Sequence, residues 1–420
     1  MIKNTDTLAV TDQRKTVLEI IEAGLASIQP EENFKKTVKL EGDTLSILDE
    51  KYNLTDFTHV YLIGFGKGSA KNSKFLETLL GEKLSEGYVI DTNKEDFVKI
   101  EFTLGTHPVV SQQNVDFTFK LMDRFSKMTE KDLVLVVVCG GGSAMLEHPH
   151  SVSIEQKIEI EKALLKSGAN IIEMNKIRQH LSDVKGGGLA QILYPATVAT
   201  LIYSDVPGND ITYIASGPTV KNESTIDDAM ELVRRFNIPD ITPEVFINNP
   251  NDDKYFEKVK NHIVLSNLTA LNAMKAKAEE KGIAVNIFSD KYQGEARNAS
   301  LALMAENHGN QILLAGGETT VTAKGDGKGG RNQEATLSTL INLTDNTLYC
   351  SFASDGWDNS EAAGAIADYE TKRKAQEAGI NAQEFLDNND SYTFFQKTGD
   401  SIMTDRLPSN VADLMIVYKW

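Results

Sequence analysis

Apolar positions along this chain follow two rhythms. Val17, Ile21, Leu25 and Ile28 recur at helical spacing and predict an amphipathic helix near the N-terminus. Beyond it, short apolar runs alternate with helical stretches as far as residue 353. The runs at residues 60–63, 88–90, 134–138, 197–203, 262–265, 283–288, 311–314 and 348–353 are expected strands. Helices are expected from Ser69, through Leu268, Leu271, Met274 and Ala278, across residues 294–307, and after Arg331. The run from Val134 is apolar at every position rather than at alternate ones, the mark of a strand buried on both faces. Strands alternating with helices in both halves predict an α/β chain with mostly parallel sheets flanked by helices.

The chain has 420 residues, enough for two or three domains. Pro239, Pro243 and Pro250, three of its ten prolines, crowd a polar stretch at 237–260 that interrupts the alternation. The division is therefore expected there, with domains at residues 1–245 and 246–420. The first is the larger.

The apolar runs end in glycines. After residue 63 come Gly64, Gly66, Lys67 and Gly68. After residue 138 come Gly140, Gly141, Gly142 and Ser143, with a helix expected from about Ser143. Lys185 abuts Gly186 and Gly187. Gly316, Gly317 and Glu318 precede a glycine-rich segment at 325–330 that ends in Arg331. Glycine removes the Cβ and lets a ligand approach backbone N–H donors, while a helix N-terminus adds a favourable field for anions. The 325–330 glycines look too flexible to serve packing. All these turns are expected at strand carboxyl ends, where α/β folds bind ligands. They predict a cleft with Lys67, Lys185 and Arg331 as cations and Asp205, Glu318 and Asp355 as acids. Cations for phosphate and carboxylates for a divalent metal suit nucleotide-dependent phosphoryl transfer. Metal-assisted handling of a carboxylate substrate fits them as well. The turn at 64–68 is neither a dinucleotide fingerprint, since Ser69 stands where the third glycine belongs, nor a Walker loop, since Gly68 separates Lys67 from Ser69.

Composition narrows the partners. With 43 Lys plus Arg against 60 Asp plus Glu the net charge is −17, which argues against nucleic acid as a main partner. The N-terminus lacks a signal-peptide core and no apolar run reaches membrane-spanning length, so no membrane partner and a cytoplasmic location are expected. Cys139 and Cys350 are expected to be buried free thiols.

The stretches GFGKGSA, GGGSA, NKIRQHLSDVKGGGLA, SDVPGNDITYIASGPT and GGETTVTAKGDGKGGRNQE, with the weaker SDGWDNSEAAGA and SNVADL, run in order from about residue 59 to 414. Together they resemble the class II glycerate kinases, the glycerate 2-kinases with a MOFRL-type C-terminal domain. The resemblance implies a Rossmann-like N-terminal domain and a smaller C-terminal one. It implies phosphorylation of D-glycerate to 2-phosphoglycerate with ATP and Mg²⁺ in a cleft between the two domains. Lys67 and Arg331 match the family's catalytic lysine and arginine. Substrate and nucleotide binding would fall to Gly66, Gly140, Gly141, Gly142, Ser143, Arg178, Lys185, Gly186, Gly187, Ser216, Gly217, Gly316, Gly317, Thr319, Asn332, Gln333 and Asn410. The metal would fall to Asp205, Glu318 and Asp355. A homodimer is compatible with this. The alternatives are an NAD(P)H-dependent hydroxypyruvate reductase and a catalytically silent ligand-binding relative. Two segments, at 355–362 and 404–414, depart from the family pattern.

Overall fold

The computed structural model describes residues 1–239 and 241–420; Asp240, inside the expected boundary stretch, lies outside the described residues. The chain forms two compact units. The N-terminal unit comprises Phe34–Ser204 and Asn209–Val264, and the C-terminal unit comprises Met1–Asn33, Asp205–Gly208 and Leu265–Trp420. The main crossing thus falls after Val264, whereas it was expected after residue 245.

In the N-terminal unit, β1 (Val38–Glu41), β2 (Thr44–Ile47) and β3 (Glu50–Asn53) make a small antiparallel sheet. The main sheet has the order β6 (Ile100–Leu104), β5 (Glu86–Asp91), β4 (His59–Phe65), β7 (Asp132–Val138), β8 (Thr197–Tyr203), β9 (Val259–Leu265). Its pairs from β6 to β8 are all parallel. Numbered along the chain this is 3-2-1-4-5-6, the order of doubly wound nucleotide-binding folds, whose switch point lies between the first and fourth strands, here β4 and β7. Every residue of β7 is buried, as an apolar run without alternation requires.

The C-terminal unit departs from the parallel expectation. Its sheet has the order β10 (Val285–Glu295), β11 (Ile312–Thr320), β15 (Asp413–Lys419), β12 (Thr347–Ala353), β13 (Gly364–Ala367), β14 (Ser401–Ile402). Only β10 and β11 pair in parallel. The last strand of the chain, β15, lies antiparallel between β11 and β12, and β12 returns through residues 354–363 to pair antiparallel with β13. A return that short needs no crossover helix, so the parallel rule does not apply.

The helix expected at residues 17–28 runs Asp12–Ser27 and belongs to the C-terminal unit, packing on helix Asn267–Glu280. One buried side chain explains much of this. Arg14 is fully buried, with Nε and NH2 on Asp368 at 2.8 and 2.6 Å and NH1 on Asp400 at 2.6 Å. A buried guanidinium is tolerated only with such partners, and both carboxylates come from the C-terminal half. Among the described residues no helix is long and apolar enough to cross a membrane. Cys139 and Cys350 are buried free thiols.

Candidate active site

In the N-terminal unit the glycine turns after β4 and β7 meet at the switch point. Lys67 N donates to Gly140 O at 2.8 Å. Gly66 adopts φ +104°, and a Cβ there would lie 2.3 Å from Cys139 O, so only glycine permits this approach. Lys67 itself is exposed and makes no ion pair among the described residues. The helix expected from Ser143 is a single turn, Gly142–Met145, too short to carry an appreciable dipole. What this turn presents is a hydroxyl. Ser143 Oγ lies 3.0 Å from Ser216 Oγ, which donates to Asn175 Oδ1 at 2.8 Å.

Ala215, Ser216 and Gly217 are consecutive residues at φ +51°, +61° and +60°. Two non-glycine residues held in the left-handed region store roughly 1–2 kcal/mol each, strain that concentrates at functional sites. Gly186 N and Gly187 N hold this bend by donating to Ser216 O and Gly217 O at 3.0 and 2.9 Å. The turn at Gly186 and Gly187 therefore joins the cluster. It does not follow a strand as expected, but links helix Ile171–His180 to helix Gly188–Leu193.

Two predicted cations of this unit have internal partners. Lys185 is buried, with Nζ 2.5 Å from Glu147 Oε2, and burial lowers its pKa to about 8 despite that carboxylate. Arg178 is bidentate on Glu161, with Nε and NH2 at 2.9 and 2.7 Å from Oε2.

The helix N-terminus after Gly68 is also filled from within. Asp91, at the end of β5, is fully buried; its Oδ2 accepts the N–H groups of Gly68 and Ala70, both at 2.9 Å. Its Oδ1 accepts those of Thr92 and Asn93. Burial raises its pKa against the pull of these four donors. In a dinucleotide fold, an acid at the end of the second strand would take a ribose hydroxyl. Asp91 stands there but is spent on backbone. Its position at a strand's carboxyl end was the sequence signal.

The C-terminal unit holds the other cluster. The stretch Gly316, Gly317, Glu318 and Thr319, expected as a turn, lies within β11. A Cβ on Gly317 would sit 1.9 Å from Tyr292 O of β10, so the glycine serves strand approach. Arg331 opens helix Arg331–Leu340. Its Nε and NH2 donate to Asp413 at 2.6 and 3.1 Å, and NH1 lies 2.9 Å from Glu318 Oε1. Asp413 is fully buried, which pushes its pKa up to about 6 despite Arg331.

Asp358 fills this helix N-terminus, accepting from Asn332 N at 3.0 Å and Gln333 N at 2.9 Å. Asn332 Nδ2 links it to Asp413. Neither Asp358 nor Asp413 was singled out from sequence; both lie far along the chain from Arg331.

The 325–330 glycines are packed, contrary to expectation. A Cβ on Gly325 or Gly327 would meet the backbone at Asn388, and one on Gly330 would lie 2.3 Å from Asp358. They line a cavity of about 480 Å³ with Glu318, Thr319, Arg331 and Trp357. In its wall Thr319 Oγ1 is buried with no hydrogen-bond partner among the described residues.

Asp355 caps its own turn, accepting Trp357 N at 3.0 Å, and Asn410 does the same for Ala412 N. Asp205 lies in the short stretch Asp205–Gly208 of this unit. Among the described residues no three His, Cys, Asp or Glu side chains gather into a metal cage.

A doubly wound parallel sheet with glycine turns at its switch point, alongside a mixed-sheet unit bearing a glycine-lined cavity, defines a two-unit α/β enzyme class. Family models match residues 16–248, described as a domain of unknown function (DUF4147), and residues 311–413, described as the MOFRL family. A glycerate 2-kinase from Picrophilus torridus is 33% identical over 99% of both chains. A protein from Agrobacterium vitis that carries a provisional hydroxypyruvate reductase name is 36% identical over 85% of this chain and 98% of its own. The crystal structure of a Thermotoga maritima glycerate kinase superposes with a TM-score of 0.83 at 30% identity, covering 97% of this chain and 99% of that one. The chain belongs to the class II glycerate kinase family, and it is a kinase.

Proposed function

We propose that this chain transfers the terminal phosphoryl group of ATP to the 2-hydroxyl of D-glycerate, giving 2-phosphoglycerate, in the cytoplasm. Lys67 carries the proposal: an exposed ammonium without an ion pair among the described residues, held on a glycine turn at the switch point whose backbone bonds to the turn that presents Ser143. Phosphoryl transfer is mostly positioning and charge neutralisation, and such a cation suits the developing charge on the equatorial oxygens. Arg331 would act as a second cation, oriented by Asp413 and Glu318.

The residues fit a nucleotide and Mg²⁺. The unpartnered Thr319 hydroxyl and the bare glycine backbone line a cavity that can receive polar ligand atoms. Mg²⁺ is ordinarily held by one or two carboxylates together with phosphates. Glu318 would hold the ion, with Asp205 and Asp355 as further candidates. The ion would neutralise the nucleotide phosphates.

Asp91 disfavours the reductase alternative, because the acid a ribose would need already accepts four backbone N–H groups. The test is mass spectrometry of product after incubation with ATP, Mg²⁺ and D-glycerate. A mass gain of one phosphoryl group at the 2-position is expected. Its absence, together with NADH consumption on hydroxypyruvate, would refute the proposal.

A further inference from the structure

A second cavity, of about 290 Å³, lies wholly within the N-terminal unit. Ser143 and Gly141 are at one wall, with His107, whose pKa is lowered by burial and by Lys67. Val109, Val110, Ile158 and Leu165 supply its apolar lining. Its charged lining is Glu147, Lys157, Glu161, Lys162 and Arg178. Lys157, Ile158, Glu161, Lys162 and Leu165 share one helix, Ile154–Lys166, at spacings that place them on one side of it. The volume is at the small end for ligand sites and suits a small acid rather than a nucleotide.

The charged lining does not balance. Glu147 Oε2 is shared by Lys185 at 2.5 Å and Lys157 at 3.5 Å. Glu161 is shared by Lys157 at 3.3 Å and Arg178 at 2.7 Å. Lys185, Lys157 and Arg178 are three cations against two carboxylates. The surplus falls on Lys157, whose side chain is 1% exposed and whose Nζ makes no hydrogen bond among the described residues. A buried ammonium with three unused donors is costly unless something else answers it. Glu147 Oε1 is also buried without a partner. Lys162 is exposed and has its own carboxylate, Glu159. Removal of Lys157 would leave two matched pairs, Lys185 with Glu147 and Arg178 with Glu161. Packing alone therefore does not call for the third cation.

We propose that this cavity is the carboxylate subsite for the phosphoryl acceptor. The surplus charge of the Lys157, Lys185 and Arg178 cluster attracts the acid group, and Arg178 and Ser143 receive it. The proposal rests on the acceptor being a small hydroxy acid, as above, and assigns where its acid end sits.

The test is Lys157→Gln. Since the remaining charges pair off, the variant should keep the wild-type melting temperature to within a few degrees. Its KM for D-glycerate should rise at least tenfold, with kcat and the KM for ATP within twofold of wild type. Propionate should compete with D-glycerate in wild type and lose that ability in the variant, while propionamide should compete in neither. A folded variant with wild-type KM and propionate inhibition would overturn the proposal. Should wild type not phosphorylate D-glycerate, the kinase assignment to that acid fails, and calorimetry of propionate still decides the subsite. Binding that Lys157→Gln abolishes supports it; equal binding, or none to wild type, refutes it. Should the variant not fold, wild-type crystals soaked in D-glycerate decide. The carboxylate is expected against Arg178, and density for the acid elsewhere, with water alone in the cavity, would refute the assignment.

Discussion

Arg331→Ala should cost stability as well as turnover, and the two losses should separate with pH. From sequence alone Arg331 looks like a loop cation whose removal spares the fold. In the structure it is the main partner of a fully buried carboxylate, Asp413. Without it, the Asp413 carboxylate keeps only Asn332 Nδ2, at 2.9 Å, among the described residues. Breaking a buried pair costs about 3–5 kcal/mol. Arg331 is 35% exposed, so water can follow its removal, and about 2–3 kcal/mol is the better expectation. At roughly 2–4 °C per kcal/mol the melting temperature should fall by about 5–10 °C at pH 7.5. The carboxylate can escape by taking a proton, and its folded pKa is already about 6, above the unfolded value near 3.8. A raised folded pKa gives stability that is fully present below the unfolded pKa and lost as pH rises through the folded one. Protonated Asp413 no longer needs Arg331, whose loss raises that carboxyl's pKa further, so the gap between variant and wild type should narrow as pH falls toward about 6 and stay small below it. The double variant Arg331→Ala/Asp413→Asn should recover most of the stability and none of the turnover. Calorimetric melts from pH 5 to 8 are the assay. A gap that stays constant over that range, or a double variant no more stable than the single one, would refute the reasoning.

Lys67→Ala should behave differently, because Lys67 has no ion pair among the described residues: turnover should drop roughly a hundred- to a thousandfold, about 3–4 kcal/mol, with the melting temperature unchanged. Near-normal turnover in that variant would remove Lys67 from catalysis. EDTA should abolish activity and Mg²⁺ restore it, and Glu318→Gln should raise the Mg²⁺ concentration needed; full activity in chelator would rule out metal-assisted transfer. Gly330→Ala places a Cβ 2.3 Å from Asp358, and overpacking of that kind should lower stability by about 1–3 kcal/mol, read by denaturant unfolding. An unchanged midpoint would show that the Asp358 cap can move aside.

Much of the architecture was legible because its causes are local. The unbroken apolar run of β7 reports burial on both faces, and the strand at Thr197–Tyr203 appears with the bounds its pattern predicts. The glycines at 66 and 141 mark the positive-φ turns that follow β4 and β7. What the pattern could not show is which groups fill the anion positions those turns create. A glycine turn before a helix says that an anion is wanted; it does not say whether ligand or protein supplies it. Asp91 and Asp358 supply it here, each brought in from more than twenty residues away by the sheet. Pairing direction in the C-terminal sheet was hidden for the same reason, since β15 inserts between two strands formed much earlier in the chain. Buried charge is the sharpest case. Arg14 and Lys157 look in sequence like any solvated cation and Lys185 like a cleft cation, and only the folded chain removes them from water and gives them carboxylates from other elements. Periodicity is a property of neighbours and survives in the sequence. Charge compensation is a property of distant groups brought together, and only the tertiary structure decides it.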